Sequence, residues 1–343
     1  MTPPSLRYVT DEQPGILRRG RTRVRYLDEQ TGSAITDADL RSRIDALAIP
    51  PAWTDVWICP DPRGHIQATG RDAKGRKQYR YHPRWQEHRN TAKFDQLREF
   101  GHALAGLRAQ VDEDLGDRGL GQDRVVALLV SLLDVTACRV GSEAYARDNK
   151  TYGLTTLRDR HVRITSGAVH LRFKGKHDKL FEISCDDPRL ARVAKRCQEL
   201  PGQLLFKYVD DDGEVRPVRA DDINDYLRRV TGLDLTAKTF RTWEASVQAG
   251  TLLSSTEVPS SERRRQSTLK ELIGHVADQL GNTVAVCRSS YVHPRLIELW
   301  EADELADRWE SGPVRAKAQV AREERRFLHV LELDRPRRDR RAA

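Results

Sequence analysis

"RVVALLVSLLDVTACR", residues 124 to 139, is apolar on nearly every face that a helix would present. Such a helix has no polar side to turn toward water, so it is buried in the core of a larger domain. The apolar run within it, from Val125 to Leu133, is far too short to span a bilayer. The stretch therefore predicts a core helix of a globular domain.

The same stretch ends on Arg139, which is followed closely by Gly141. An arginine that closes an apolar helix is expected to be partly buried, and a buried guanidinium needs an anion. That anion is either a carboxylate inside the fold or a bound ligand. Because the chain is rich in arginine, Arg139 considered by itself is better explained by a carboxylate partner inside the fold than by a bound ligand.

Helical patterns continue on both sides of this core segment. Asp187 and Pro188 are typical of a helix cap and a first helical residue. Upstream, apolar residues recur at steps of three and four, which indicates an amphipathic helix: Phe94, Leu97, Phe100, Leu104, Leu107, Val111 and Leu115. Further helical stretches follow downstream: residues 221–232, 236–253, 267–281 and 295–309.

Residues 162 to 184 have a period of two instead. Val169, Leu171 and Phe173 fall on one face, and the residues between them are polar. The alternation resumes after "GKHDK", which predicts a β-hairpin with Lys176 in its turn. A lysine in such a turn is either an exposed side chain or a functional cation.

The first ninety residues carry short β-like stretches separated by turn residues, with one helix from Asp37 to about Leu47. In "DVWICPDPRGHIQATGRD", Pro-Arg-Gly predicts a hairpin turn. We therefore expect an α+β chain. A small β-sheet-rich domain spans residues 1–90, a larger mainly helical domain with a β-hairpin spans 91–330, and a basic, disordered tail spans 331–343.

Residues 74 to 89, "KGRKQYRYHPRWQEHR", alternate cations with aromatic rings, including Tyr79 and Tyr81 around Arg80. Cations pair with phosphates and rings offer stacking faces, so the pattern suits a surface laid along a nucleic acid. An edge strand with one solvated face explains the stretch nearly as well.

The composition is that of a globular and distinctly basic chain, with 32% charged residues, a net charge of +8 and a pI near 9.3. A basic surface attracts polyanions, although arginine-rich codon usage produces the same balance without a bound phosphate. No N-terminal apolar leader is present, so we expect a cytoplasmic protein. The five cysteines are scattered without CxxC spacing and are expected to be buried or idle thiols: Cys59, Cys138, Cys185, Cys197 and Cys287.

Familiar catalytic signatures are absent from the sequence. It contains no metal-ligand spacing, no Ser/His/Asp arrangement, and neither the GxGxxG nor the GKS/T phosphate loop. What remains are three cations in unusual settings, Arg139, Lys176 and Arg241, and a tyrosine, Tyr291, nine residues after Asn282.

The four segments that contain these residues, in their order along the chain, resemble the type IB DNA topoisomerases, especially the compact bacterial and poxvirus form. They are "RVGSEAYARDNKTYGLTTL", "FKGKHDK", "KTFRTW" and "LGNTVAVCRSSYVHP". "KGRKQYRYHPRW" near the amino terminus is also similar to the bacterial members, so the resemblance covers nearly the whole chain. It implies a catalytic domain like that of tyrosine recombinases and type IB topoisomerases.

The resemblance also implies roles for these residues. Tyr291 is the nucleophile that forms a transient 3′-phosphotyrosyl link, and Arg139, Lys176, Arg241 and Asn282 complete the catalytic site. Further DNA contacts are implied at Lys238, Tyr145, Tyr79, Arg80 and Tyr81. The enzyme would relax supercoiled duplex DNA by strand rotation and religation, as a monomeric clamp in the nucleoid, with neither ATP nor a metal.

The chain departs from the family at Asn282, where histidine is more common. An asparagine amide donates a neutral hydrogen bond to phosphate as histidine does, but it cannot transfer a proton. Its presence argues for the hydrogen-bonding role at this position. His275 lies sixteen residues before Tyr291, and we interpret it as helix surface or packing.

Two other functions remain open at this point. A site-specific tyrosine recombinase uses a similar set of Arg, Lys, Arg and Tyr, although the β-like amino-terminal region argues against it. A DNA-binding protein with a vestigial catalytic set would also explain the basic aromatic stretch and the departure at Asn282.

Overall fold

The computed structural model describes residues 5–20, 23–316 and 319–333. Two compact units divide the chain between Lys93 and Phe94, which we call the N-terminal unit and the helical unit. Most of the predicted tail, including "RPRRDRRAA", lies outside the described residues.

The N-terminal unit is built on a five-stranded antiparallel sheet with the order β2-β1-β3-β4-β5. Pro-Arg-Gly lies in the connection between β3 and β4, as expected. Strand β5 is an edge strand. The strands are β1 (Ile16–Arg19), β2 (Arg25–Asp28), β3 (Thr54–Ile58), β4 (Ile66–Arg71) and β5 (Lys77–Tyr81).

One helix, α1 (Ala38–Ala46), packs on this sheet. The Asp37 side chain accepts a hydrogen bond from the Leu40 N–H at 2.7 Å and caps the helix, as the sequence predicts. Ile44 enters a small apolar cluster with Ile16 and Ile58 of the sheet. The cluster is small, so this unit relies on few buried side chains.

Helix α2 (Pro83–Gly116) begins eight residues before the predicted start near residue 91. Its first turns are polar and carry no apolar period, but Pro83 is a favoured first helical residue. The predicted apolar positions are buried from Phe94 onward. Hydrophobic periodicity located the packed part of α2 and missed its exposed beginning.

Helix α3 (Gln122–Thr136) is the predicted core helix, and Val125, Leu129 and Leu133 are fully buried in the main apolar cluster. It ends earlier than the sequence suggested, because Ala137 adopts a left-handed conformation with φ of 48°. Arg139 consequently stands in the loop after the helix and not in its last turn.

The predicted hairpin is part of a three-stranded antiparallel sheet, β6 (Val162–Ile164), β7 (Val169–Lys174) and β8 (Leu180–Cys185). The residues expected to face the core, from Val169 to Phe173, are buried, and Lys176 lies in the turn. A second hairpin, β9 (Lys207–Val209) with β10 (Val215–Pro217), was not predicted.

Within the described residues, nine α-helices follow α3, and they form most of the helical unit around one apolar cluster. They are α4 (Glu143–Asn149), α5 (Pro188–Glu199), α6 (Ala220–Thr231), α7 (Ala237–Ser254), α8 (Glu262–Leu280), α9 (Val284–Ser290), α10 (Pro294–Glu301), α11 (Leu305–Glu310) and α12 (Arg322–Leu333). Asp187 caps α5, and Pro188 is its first residue, as predicted. The expected boundary at residue 331 falls inside α12, where Leu331 is buried.

The α+β class is thus confirmed, with a sheet followed by a mainly helical unit. All five cysteines are free and buried, which confirms that prediction. Among the residues that the structure describes, no helix combines the length and apolarity needed to cross a membrane.

Candidate active site

A pocket of about 390 Å³ in the helical unit gathers most of the predicted site residues. They come from segments spread along the chain: the loop after α3, helix α4, the turn of the β7–β8 hairpin, α7 and the end of α9. The predicted residues that line the pocket are Arg139, Tyr145, Lys176, Lys238, Arg241 and Tyr291.

The loop carrying Arg139 is held by the segment "YGLTT". The Leu154 N–H donates to the Arg139 carbonyl oxygen at 2.9 Å, and the Thr155 N–H donates to that of Val140 at 2.7 Å. A Cβ on Gly153 would lie 2.6 Å from the Arg139 oxygen, so only glycine permits this approach. The motif that carried the family resemblance thus fixes the backbone of Arg139.

Arg241 is a buried arginine whose side chain is held by main-chain oxygens. Its Nη1 donates to the carbonyl oxygen of Ala137, and its Nη2 to that of Leu280 at 2.8 Å. Only 3% of the residue is exposed, and its Nε has no hydrogen-bond partner among the residues that the structure describes. No carboxylate among the described residues forms a salt bridge with it, so its positive charge is not neutralised.

Asn282 follows Gly281, which ends α8 in a left-handed conformation with φ of 64°. The Asn282 Oδ1 accepts a hydrogen bond of 2.5 Å from Arg139 Nη2. Its Nδ2 is buried and has no hydrogen-bond partner in the described part of the chain. Arg139 therefore orients the amide so that a donor remains free, which is the property expected of an asparagine at this position.

Tyr291 lies at the end of α9, and 8% of it is exposed. Its ring centroid is 5.2 Å from the Arg241 guanidinium carbon and 5.9 Å from Lys238 Nζ. Burial opposes ionisation of the phenol, but the charges of Arg241, Lys238 and Arg139 outweigh it and hold the pKa of Tyr291 below its ordinary value. These cations favour the nucleophilic phenolate.

Sequence reasoning missed Ser246, which is fully buried on α7. Its hydroxyl lies 3.1 Å from the Tyr291 carbonyl oxygen and accepts a hydrogen bond of 3.0 Å from the His293 N–H. This contact ties the backbone around Tyr291 to the helix that carries Arg241. A serine inside a helical pattern gives no sequence signal for such a role.

Lys176, Lys238 and Tyr145 line the same pocket but are exposed to solvent. An exposed cation at the edge of a pocket keeps its freedom to follow a bound ligand, whereas Arg139 and Arg241 are fixed by their hydrogen bonds. His275, on α8, is exposed and is not among the pocket residues, in accord with its interpretation as helix surface.

The amino-terminal residues Tyr79, Arg80 and Tyr81 lie on edge strand β5, and none of them lines the pocket. The two tyrosine rings are stacked with centroids 5.7 Å apart, and Tyr79 is 42% exposed. Arg80 points to the other face of the strand, where it donates to the Ala48 carbonyl oxygen at 2.8 Å. The aromatic face is thus open, while Arg80 is engaged within its own unit.

Within the described part of the chain, no group of three or more His, Cys, Asp or Glu side chains is arranged to hold a metal ion. The groups that converge on the pocket are donors and cations, which suits a phosphate more than a metal.

Known protein families match both parts of the chain. Residues 82–305 match the family described as eukaryotic DNA topoisomerase I, catalytic core, and residues 23–72 match the bacterial DNA topoisomerase IB N-terminal domain. DNA topoisomerase 1B of Acanthamoeba polyphaga mimivirus is 36% identical over 278 residues, covering 78% of this chain and 81% of the viral one.

More distant proteins resemble the chain as well. DNA topoisomerase 1B of Vaccinia virus (strain Copenhagen) is 20% identical over 234 residues, which cover 67% of this chain and 71% of the viral protein. A XerH site-specific recombinase bound to its difH substrate is 16% identical with a TM-score of 0.33, covering 57% of this chain and 51% of that one. That structural likeness is too weak to support any conclusion.

The chain therefore belongs to the type IB DNA topoisomerases. It is a topoisomerase, an enzyme of the isomerase class, and the family predicted from the four motifs is confirmed.

Proposed function

We propose that this enzyme relaxes supercoiled duplex DNA by reversible transesterification, with Tyr291 as the nucleophile. The observation that carries the proposal is a buried phenol surrounded by Arg139, Lys238 and Arg241, none of which is neutralised by a carboxylate among the described residues. A cationic pocket of this kind fits a phosphodiester, whose charge would complete the missing half of each ion pair.

In the cleavage step, Tyr291 Oη attacks phosphorus and the bond from phosphorus to the 5′ oxygen breaks. Charge gathers on the non-bridging oxygens in the transition state, and prearranged donors stabilise it. The unpartnered Arg241 Nε and Asn282 Nδ2 supply two buried donors for this purpose, and Arg139 supplies a third group. The product is a 3′-phosphotyrosyl link.

Lys176 is the proposed general acid. The 5′ oxygen leaves poorly as an alkoxide, so it needs a proton as its bond to phosphorus breaks. Lys176 lines the pocket from the hairpin turn, and a lysine side chain is a hydrogen-bond donor. In the reverse direction the 5′ hydroxyl returns its proton to Lys176 and attacks phosphorus, which releases Tyr291 and restores the duplex.

The phosphotyrosyl bond conserves the energy of the broken phosphodiester, so the proposed cycle uses neither ATP nor a metal ion. While one strand is open, the free end rotates about the intact strand and torsional strain is lost. The stacked Tyr79 and Tyr81 offer an aromatic face and Lys238 and Tyr145 offer polar groups for duplex DNA. We place the enzyme on nucleoid DNA as a monomeric clamp with two proposed domains, residues 1–90 and 91–330.

The proposal is tested with a plasmid that carries no special site, incubated in chelator without ATP. The wild type should relax it and leave a covalent DNA adduct when denatured. Tyr291→Phe should form no adduct and relax nothing, while it keeps salt-sensitive DNA binding. Tyr208→Phe, on β9 and outside the pocket, is the matched control. Relaxation at the normal rate by Tyr291→Phe would show that the nucleophile is another residue.

A further inference from the structure

The turn that carries Lys176 is docked onto the end of helix α8. Lys179, three residues after Lys176, donates from Nζ to the Asp278 carbonyl oxygen at 2.7 Å. The Asp278 carboxylate is farther away, at 3.7 Å, and is largely exposed. The main contact is thus to a backbone oxygen in the last turn of α8, where the helix dipole favours a cation.

Phe181 makes the second contact between the hairpin and this helix end. A Cβ on Gly281 would lie 2.4 Å from the ring Cζ of Phe181, and one on Gly175 would lie 2.5 Å from its Cε2. The ring therefore fills the space between two glycines, one on the hairpin and one after α8. It also stacks on Phe173 with centroids 5.5 Å apart, which fixes it to strand β7.

The helix end that receives these two side chains also holds the phosphate-binding groups. Arg139 Nη2 contacts the Gly281 carbonyl oxygen at 3.4 Å and the Asn282 amide oxygen at 2.5 Å. On the hairpin side, the Gly175 N–H donates to the Lys179 carbonyl oxygen at 2.8 Å and closes the turn around Lys176. The turn that carries Lys176 is thus connected to the segment of Asn282 through the contacts of Lys179 and Phe181.

We propose that Lys179 and Phe181 are positioning residues that fix Lys176 relative to Asn282 by docking the hairpin on the end of α8. This inference rests on the proposed role of Lys176 as general acid. Lys179 touches no reacting atom in this scheme. Its removal leaves Lys176 in place along the chain but lets the turn move away from the 5′ oxygen.

Lys179→Met tests this proposal, because it keeps the aliphatic stem and removes the ammonium group. Single-turnover cleavage is measured at saturating DNA, once with the ordinary 5′ oxygen and once with a bridging 5′ sulfur, which leaves without a proton. We expect cleavage of the oxygen substrate to slow about tenfold, since misplacing a general acid removes part of its contribution. Cleavage of the sulfur substrate should stay near the wild-type rate.

Three further variants make the result decisive. Lys195→Met removes an exposed lysine of α5, outside the pocket, and controls for the lost charge. Asp278→Asn keeps the carbonyl oxygen and should change the rate by less than about twofold. Phe181→Leu removes the ring that lies between the two glycines and should show the same rescue by sulfur as Lys179→Met.

Two outcomes would overturn the positioning role: an unchanged rate for Lys179→Met on the oxygen substrate, or an equal loss on both substrates. Lys176→Ala separates this result from a failure of the proposed function. Rescue of Lys176→Ala by sulfur without an effect of Lys179→Met would reject the docking contact alone. Lack of rescue of Lys176→Ala would reject the general acid, and with it the reason for docking the turn.

Discussion

Two of the clusters in the helical unit that contain buried or half-buried arginines satisfy them in opposite ways. Arg108 of α2 forms charged hydrogen bonds with Asp134 at 2.7 Å and with Glu324 of α12 at 2.8 Å. In the candidate active-site pocket, Arg139 and Arg241 bond to carbonyl and amide oxygens instead. Neutral acceptors orient a guanidinium without cancelling its charge.

The electrostatics of the two clusters differ accordingly. Burial disfavours the charge of Arg108, but its two carboxylates outweigh burial and raise its pKa. Burial and the nearby Arg241 charge lower the pKa of Arg139. The charge of Arg108 is already balanced by two carboxylates. The charges of Arg139 and Arg241 would be stabilised by a bound anion. Arg108 thus has its counter-charges within the fold, whereas the charge of Arg241 is left without a carboxylate partner among the described residues.

Arg241→Met should give the largest effect. It removes a charge and a buried donor from the pocket, so we expect single-turnover cleavage to fall by about 10³-fold or more. Urea unfolding should show only a modest loss of stability, because no carboxylate is left without its partner. If cleavage fell only in proportion to the amount of folded protein, the proposed difference between Arg241 and Arg108 would be wrong.

Arg108→Met should have the opposite signature. Asp134 and Glu324 would be left buried without a cation, which costs about 3 kcal/mol of unfolding free energy. Cleavage per folded molecule should stay close to that of the wild type, because Arg108 is not among the pocket residues. Equilibrium unfolding and active-site titration measure the two quantities separately. A specific loss of activity without destabilisation would break the distinction.

Gly153→Ala sharpens the comparison at Arg139, whose orientation depends on its backbone. The added Cβ would meet the Gly141 nitrogen at 2.5 Å, so the loop must shift. We expect cleavage to slow by about 10²-fold, as is typical when a catalytic group is displaced by about an ångström. Gly106→Ala on α2 meets nothing within 4 Å and is the matched control. Normal cleavage by Gly153→Ala would refute the role of this close approach.

The smallest expected effect concerns pH. The pKa of Tyr291 is lowered by its neighbouring cations despite burial, so cleavage should rise with pH and level off below the ordinary tyrosine pKa of about 10. Lys238→Met removes one of these cations, which destabilises the phenolate and raises the pKa of Tyr291. The plateau should therefore move to higher pH, as measured by single-turnover rates. A profile that does not move would exclude Lys238 as an electrostatic neighbour.

Sequence periodicity predicted the elements whose burial is regular. The apolar stretch of α3 and the alternation from Val169 to Phe173 both describe a face packed against the core, and the structure confirms them. The missed hairpin of β9 and β10 has strands of three residues, too short for a period. Its Asp-Asp-Asp-Gly turn, residues 210–213, was the available signal.

The roles of the arginines were harder to read from the sequence. The sequence around Arg108 and Arg139 does not distinguish their roles. The carboxylate partners of Arg108, Asp134 and Glu324, are 26 and 216 residues away from it in the chain. The family motifs predicted Arg139 and Arg241 as site residues. The contacts that leave their charges without a carboxylate partner arise from tertiary packing, which the motifs do not describe. Ser246 had no signal at all, since the contacts that join it to the segment of Tyr291 are with backbone atoms 45 and 47 residues away.

The five cysteines, all free and buried, have a practical consequence. Burial raises the pKa of the Cys138 thiol and raises that of Cys287 to about 11, so neither is a thiolate at neutral pH. An alkylating reagent such as iodoacetamide should find no reactive sulfur in the folded enzyme. Alkylation followed by mass spectrometry therefore reports the opening of the helical core. An electrophilic drug would find no reactive thiol beside Tyr291.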